Sequence, residues 1–202
     1  MSRIDGSEGE PDAYTTTTFQ AMADAVLPPT FRRNEARWTI VAGANQLCVD
    51  RYVIAELDHS QFPPFEATNG ERLSRSTARL LDWGAERLLG GGPPPLFSGA
   101  FPGGGPFSAL PRLGRLQTLD LLDRLELSAD ELPAPFSENP ALVRIIVNSL
   151  HQLTYFGYYS GWAGCGEAGW GLVGYPGPSF GYRDFRGFPS KDSRIEGGDT
   201  DG

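Results

Sequence analysis

Apolar residues return at steps of three and four along most of this chain, the period of a helix that buries one face. Phe19, Met22, Ala23, Val26 and Leu27 keep that rhythm, the hydroxyl run Thr15 to Thr18 offers capping side chains ahead of them, and Pro28-Pro29 stops the segment. A longer helix is predicted from about Ala36 to His59, with Ile40, Ala44, Leu47, Cys48 and Ala55 on one stripe and Val41 and Tyr52 beside it. Pro63-Pro64 breaks it. A third is predicted from about Leu73 to Leu89, its inward face made of Leu73, Thr77, Leu80, Leu81, Gly84 and Leu88. The glycine and proline run Gly90 to Pro95 ends it.

From there to Pro106 the chain reads as a loop, and Phe97, Phe101 and Phe107 make it one pinned to a surface, since free linkers carry few aromatics. Leu110 to Leu127 is leucine-rich and helical in pattern, and Ser128 with Glu131 matches a capping box for a further short turn. Asn139-Pro140 reads as an N-cap followed by proline at the first helical position. The helix it opens has Leu142, Ile145, Ile146, Ser149, Leu150 and Leu153 at the spacing of a buried face and runs into Thr154 to Tyr159.

Beyond Ser160 the pattern ends. Trp162, Trp170, Tyr175, Phe180, Tyr182, Phe185 and Phe188 stand among glycines too dense for a helix and in no alternation long enough for a strand. The expected fold is therefore mainly α: a small helical domain of about five helices with an irregular C-terminal region rich in glycine and aromatics. A disordered acidic leader over 1–14, one domain over 15–189 and a disordered tail over 190–202 complete the expectation.

Composition narrows the function classes. The 202 residues carry 17 Lys+Arg against 25 Asp+Glu, a net charge of -8, which speaks against capture of nucleic acid or of an anionic membrane surface. Lys191 is the only lysine, an acidic and lysine-poor balance typical of proteins kept soluble in strong salt or encoded by GC-rich genomes. No apolar run reaches the roughly 20 residues that span a bilayer. The first residues lack the features of an export signal, so the chain as written is placed in the cytoplasm, or carried to or across a membrane by a partner. Cys48 and Cys165 are too few for a disulfide framework; two small buried thiols are expected, with a bond between them left to the fold.

Candidate chemistry is sparse. His59 and His151 have no partner at metal-ligand spacing, there is no G-x-S-x-G elbow, and Gly90–Gly92 and Gly103–Gly105 lack the Lys-Ser/Thr of a phosphate loop. No catalytic, cofactor-binding or metal-binding residue is predicted. The aromatic C-terminal region either seals the core or forms a partner surface, because Trp, Tyr and Phe dominate interface cores.

Three segments together carry a resemblance. Phe19-Gln20-Ala21-Met22-Ala23-Asp24-Ala25-Val26-Leu27-Pro28, then Thr154-Tyr155-Phe156-Gly157-Tyr158-Tyr159-Ser160, then Gly169-Trp170-Gly171-Leu172-Val173-Gly174-Tyr175-Pro176-Gly177-Pro178 stand in an order that resembles the gluconate 2-dehydrogenase subunit 3 family. The last segment, similar to that family's G-W-x-x-x-G-[YF]-P-G-P ending, is the most specific. The chain departs from the family in lacking a twin-arginine signal, in Thr30-Phe31-Arg32-Arg33 after the early proline, and in Gly161 to Ala168.

The resemblance implies a non-catalytic small subunit that stabilises, or assists the export of, a large GMC-type flavoprotein dehydrogenase, with an electron-transfer subunit as a further partner. FAD would sit in the large subunit and none in this chain, and neither nucleic acid nor a membrane span is implied. The interface residues expected on this reading are Tyr158, Tyr159, Trp162, Trp170, Gly174, Tyr175, Pro176, Gly177 and Pro178. The alternative is a stand-alone helical enzyme or ligand-binding protein whose aromatic region lines a pocket, with Arg144, His151, Tyr155 and Glu167 as its polar groups.

Overall fold

The computed structural model describes residues 11–34, 37–59, 71–90, 101–124 and 131–160, with Ala163 and Cys165. Among them are six α-helices and one two-stranded sheet, so the mainly helical expectation holds. The helices are α1 (Ala13–Val26), α2 (Val49–His59), α3 (Leu73–Leu88), α4 (Pro106–Ala109), α5 (Arg112–Arg124) and α6 (Ala141–Ser160). Strands β1 (Thr30–Asn34) and β2 (Arg37–Val41) form an antiparallel hairpin between α1 and α2.

Helix α1 is the centre of the bundle. It touches α2, α3, α4, α5 and α6, and Phe19, Ala21, Met22, Ala23 and Ala25 are wholly buried, as befits a helix that is apolar on most sides. It begins earlier than the threonines imply. Asp12 is the N-cap, accepting from the Thr15 amide and hydroxyl at 2.9 Å each, while Thr15 and Thr18 are buried inside the helix. Burial opposes the charge on Asp12, but these bonds and Arg75 at 3.1 Å outweigh it and hold the carboxyl below its usual value. At the other end, arginines of α5 reach carbonyls of α1: Arg112 Nε donates to the orphan Ala25 O at 2.9 Å, and Arg115 donates to Ala21 O while pairing with Asp24.

The helix expected over 36–59 is corrected by the structure. Its Arg37–Val41 stretch is β2, a 3-10 turn follows at Asn45–Leu47, and only Val49–His59 is α-helical. The reason is visible in the residues: Trp38, Thr39, Ile40 and Val41 are aromatic or β-branched and pair with β1 as Arg33↔Trp38 and Phe31↔Ile40. The hairpin closes where its two ends meet. The Ala44 amide donates to Leu27 O at 2.8 Å, and a Cβ on Gly43 would lie within 2.6 Å of backbone atoms of Leu27, Pro28 and Pro29, so only glycine fits there.

The remaining helices fall close to their predicted places, with local differences. The α3 N-terminus is capped from α2, since Asp58 accepts from the amide and hydroxyl of Ser74 at 2.9 Å each. Residue Phe107 of the expected loop lies in α4 and is fully buried, Phe101 sits under the Arg115 guanidinium at 5.1 Å, and Phe97 lies outside the described residues. Asp82 fixes α4 by accepting from the Phe107 amide at 2.9 Å and from the Tyr14 hydroxyl. Burial raises both the Asp82 carboxyl and the Tyr14 phenol. Ser128 and the tail over 190–202 lie outside the described residues, as do residues 1–10 of the leader; the leader's end is ordered, since Asp12 to Tyr14 open α1.

On α6 the buried stripe is Leu142, Val143, Ile146, Val147, Leu150, Thr154, Gly157 and Tyr158. Ile145, expected inside, is exposed, and Ser149 spends its hydroxyl on Ile145 O at 2.8 Å. The stripe is turned because α6 packs against α2 and α5 together, which brings Val143 and Val147 inward.

Candidate functional site

The C-terminal end of α6 carries the described members of the expected surface, Tyr158 and Tyr159. Four contacts gather there. Gly157 lets α6 press on α2, since a Cβ would stand 2.7 Å from Tyr52 Cδ1 and 3.1 Å from Val49 Cγ1. Tyr52 and Phe156 rings lie 6.2 Å apart, the Tyr158 hydroxyl donates to Ala42 O at 2.8 Å, and Cys48 is bonded to Cys165 with Cα atoms 5.5 Å apart.

The two consecutive tyrosines have opposite fates. Tyr158 is buried, and burial raises its phenol; it holds the base of the hairpin from inside and offers no face to a partner. Tyr159 is exposed and meets the Tyr158 ring edge-on at 5.0 Å. Tyr155 and Phe156 are exposed beside it, giving an aromatic surface on the last two turns of α6. Trp162, Trp170, Gly174, Tyr175, Pro176, Gly177 and Pro178 lie outside the described residues.

The disulfide replaces the expected pair of separate thiols. Cys48 leaves the 3-10 turn with φ 57° and directs its sulfur to Cys165, which is exposed. Among the described residues no helix is long and apolar enough to cross a membrane.

The polar groups of the alternative reading are only partly described. Arg144 and Tyr155 are exposed, Glu167 lies outside the described residues, and His151 is half-buried with Nδ1 3.0 Å from Val147 O. His151 does line a shallow groove of about 250 Å³ between α5 and α6, with Asp120, Asp123 and Asn148 over Leu116, Leu119 and Val147. Asp123 Oδ1 has no hydrogen-bond partner there among the described residues, while Asp120 is paired with Arg124 at 2.9 Å. Among the described residues no group of three or more His, Cys, Asp or Glu is placed to hold a metal ion.

One surface was not foreseen. Phe31, Trp38 and Ile40 on the hairpin are 71%, 64% and 70% exposed. The signal in the sequence was alternation, Phe31-x-Arg33 against Trp38-x-Ile40, hidden by the arginines between. The chain matches no family model, no curated protein and no solved structure.

Proposed function

We propose that this protein is a non-catalytic accessory subunit that binds and stabilises, or assists the export of, a large flavin-dependent dehydrogenase of the GMC type, as its resemblance to the gluconate 2-dehydrogenase subunit 3 family implies. The observation that carries the reading is the exposed aromatic end of α6, Tyr155 and Tyr159 with Phe156, inside the Thr154 to Ser160 segment on which the resemblance partly rests. Exposed aromatics on a rigid helix are the material of interface hot spots. Tyr159 takes the interface role here, Tyr158 supports it from within, and Trp170, Tyr175, Pro176 and Pro178 extend it in sequence. The Cys48–Cys165 bond fits a complex that works in an oxidising compartment.

The test is purification of the tagged protein from its own host in high salt, followed by flavin absorbance and mass spectrometry. A yellow, stoichiometric large partner with dehydrogenase activity is the expected result, with Tyr159→Ser and Trp170→Ala each lowering partner recovery while the protein stays helical. Recovery of a colourless, folded, monodisperse protein alone would overturn the reading. The groove at Asp123 and His151 would then be the place to look for a small ligand, because its enclosed carboxylate oxygen calls for a hydrogen-bond donor.

A further inference from the structure

Residues directly opposite each other in an antiparallel pair point to the same face, and so do residues two apart on one strand. The register Phe31↔Ile40 and Arg33↔Trp38 therefore puts Phe31, Arg33, Trp38 and Ile40 on one face of the hairpin. Its three apolar members are each about two-thirds exposed. Arg33 lies over the Trp38 ring at 5.8 Å, and Arg32 and Arg37 are exposed on the opposite face. The stretch from Thr30 to Val41 thus holds three arginines and one acid, in a chain whose net charge is -8. A two-stranded ribbon is marginal by itself, and an apolar face left in water on it calls for an occupant.

Charge and area select among occupants. A second copy stacked face to face would place two Arg33 guanidiniums in one apolar seam, with no acid among the four residues of that face, which disfavours self-association. Aromatic side chains cover roughly 150–250 Å² each, so this face offers roughly 400 Å², about half of the ~800 Å² that one partner gives to a standard protein interface. A lipid surface requires no matching shape. It takes Trp at headgroup depth and lets arginine stems lie along apolar atoms while their heads reach phosphates. The acidic remainder of the chain is no bar, because at physiological salt charges further than about 8 Å apart are largely screened.

We infer that the Phe31–Trp38–Ile40 face of the hairpin is a membrane-docking element that lies in the headgroup region of an anionic bilayer, with Arg32, Arg33 and Arg37 on its phosphates. The inference does not depend on the accessory-subunit reading; a lone protein would dock in the same way.

The experiment is co-sedimentation of the full chain with vesicles of phosphatidylcholine alone, or of phosphatidylcholine and phosphatidylglycerol in equal parts, at physiological and raised ionic strength. Binding to the mixed vesicles, weak binding to the neutral ones, and release by salt are expected. Arg32→Gln/Arg33→Gln/Arg37→Gln should weaken binding about a hundredfold, at about fivefold per arginine. Trp38→Ser should weaken it about tenfold or more, and the exposure of that side chain predicts an unchanged circular dichroism spectrum. The proposal fails if the wild-type chain ignores the mixed vesicles at physiological salt, or if both variants bind as it does. It also fails if the variants lose a protein partner in the host while vesicle binding is untouched, which would make the face a protein interface.

Discussion

Breaking the Cys48–Cys165 bond tests the most consequential contact in the structure. The bond spans a sequence separation of 117 residues. In the chain-entropy account, closing a loop of that length removes about 5 kcal/mol of freedom from the unfolded state at 25 °C. For a protein of this size 1 kcal/mol moves the midpoint by about 2–4 °C, so reduction should lower Tm by about 10–20 °C. That figure is a ceiling, since reduced unfolded chains keep some residual structure. The assay is far-UV circular dichroism melting of the oxidised protein, the same protein in reductant, and Cys48→Ser. Serine suits the position because Cys48 already holds φ 57°, so the backbone cost is the same before and after. Melts of oxidised and reduced protein within about 2 °C of each other would refute the loop-closure argument. Two thiols titrating in denatured, unreduced protein would refute the bond itself.

Two further perturbations probe the packing and the buried charge. Gly157→Ala should gain about 1 kcal/mol in helix propensity but cost about 1–3 kcal/mol against the Tyr52 ring and Val49, for a net loss on denaturant melting; a stabilised variant would mean that α2 and α6 do not approach as described. Burial raises Asp50 above its ordinary 3.8, only partly offset by hydrogen bonds from its own and the next amide and by Arg51, and it raises Asp82 likewise. A carboxyl whose folded value is raised keeps its proton in the folded state after the unfolded chain has released it. Its contribution to stability is therefore full below the unfolded value and is lost as pH rises through the folded one. Asp50→Asn should flatten the slope of Tm with pH above about 4, and an unchanged slope would show that the group does not titrate in this way.

Periodicity made α1, α3, α5 and α6 legible, because each buries a face wide enough to leave a three-and-four rhythm in the residues. It misled where the apolar spacing was compatible with two periods. Ile40, Ala44 and Leu47 fit a helical stripe, yet Trp38 to Val41 answer to a strand partner that only Phe31 and Arg33 reveal. The first cap is Asp12 rather than a threonine because its carboxylate reaches both the amide and the hydroxyl of Thr15, a contact that the run of hydroxyls in the sequence conceals. The disulfide was out of reach for the same kind of reason: no local spacing links residues 117 apart until α6 is laid against α2. At the candidate surface, Tyr158 and Tyr159 look alike in sequence, and what separates them is the carbonyl of Ala42, delivered to Tyr158 by a hairpin that was not anticipated.

These contacts also bear on how the two proposed surfaces relate. The base of the hairpin is held by Tyr158, the start of α2 by Gly157 and the disulfide, and Cys165 is where the stretch carrying Trp170 and Tyr175 sets out. All three ties lie within the last turn of α6 or a few residues beyond it. A load on the hairpin therefore reaches, through Ala42, the helix that presents Tyr155 and Tyr159, alongside the hairpin's tie to the end of α1. If both readings hold, lipid docking and partner binding are organised on one rigid corner, and Tyr158→Phe becomes the variant that connects them. It removes the hydrogen bond to Ala42 O while keeping the buried ring, at a cost of about 1–3 kcal/mol for the unmet carbonyl. It should weaken vesicle binding through a looser hairpin while leaving Tyr159 in place for the partner. Equal losses at both surfaces would instead mean that Tyr158 sets the end of α6 as a whole.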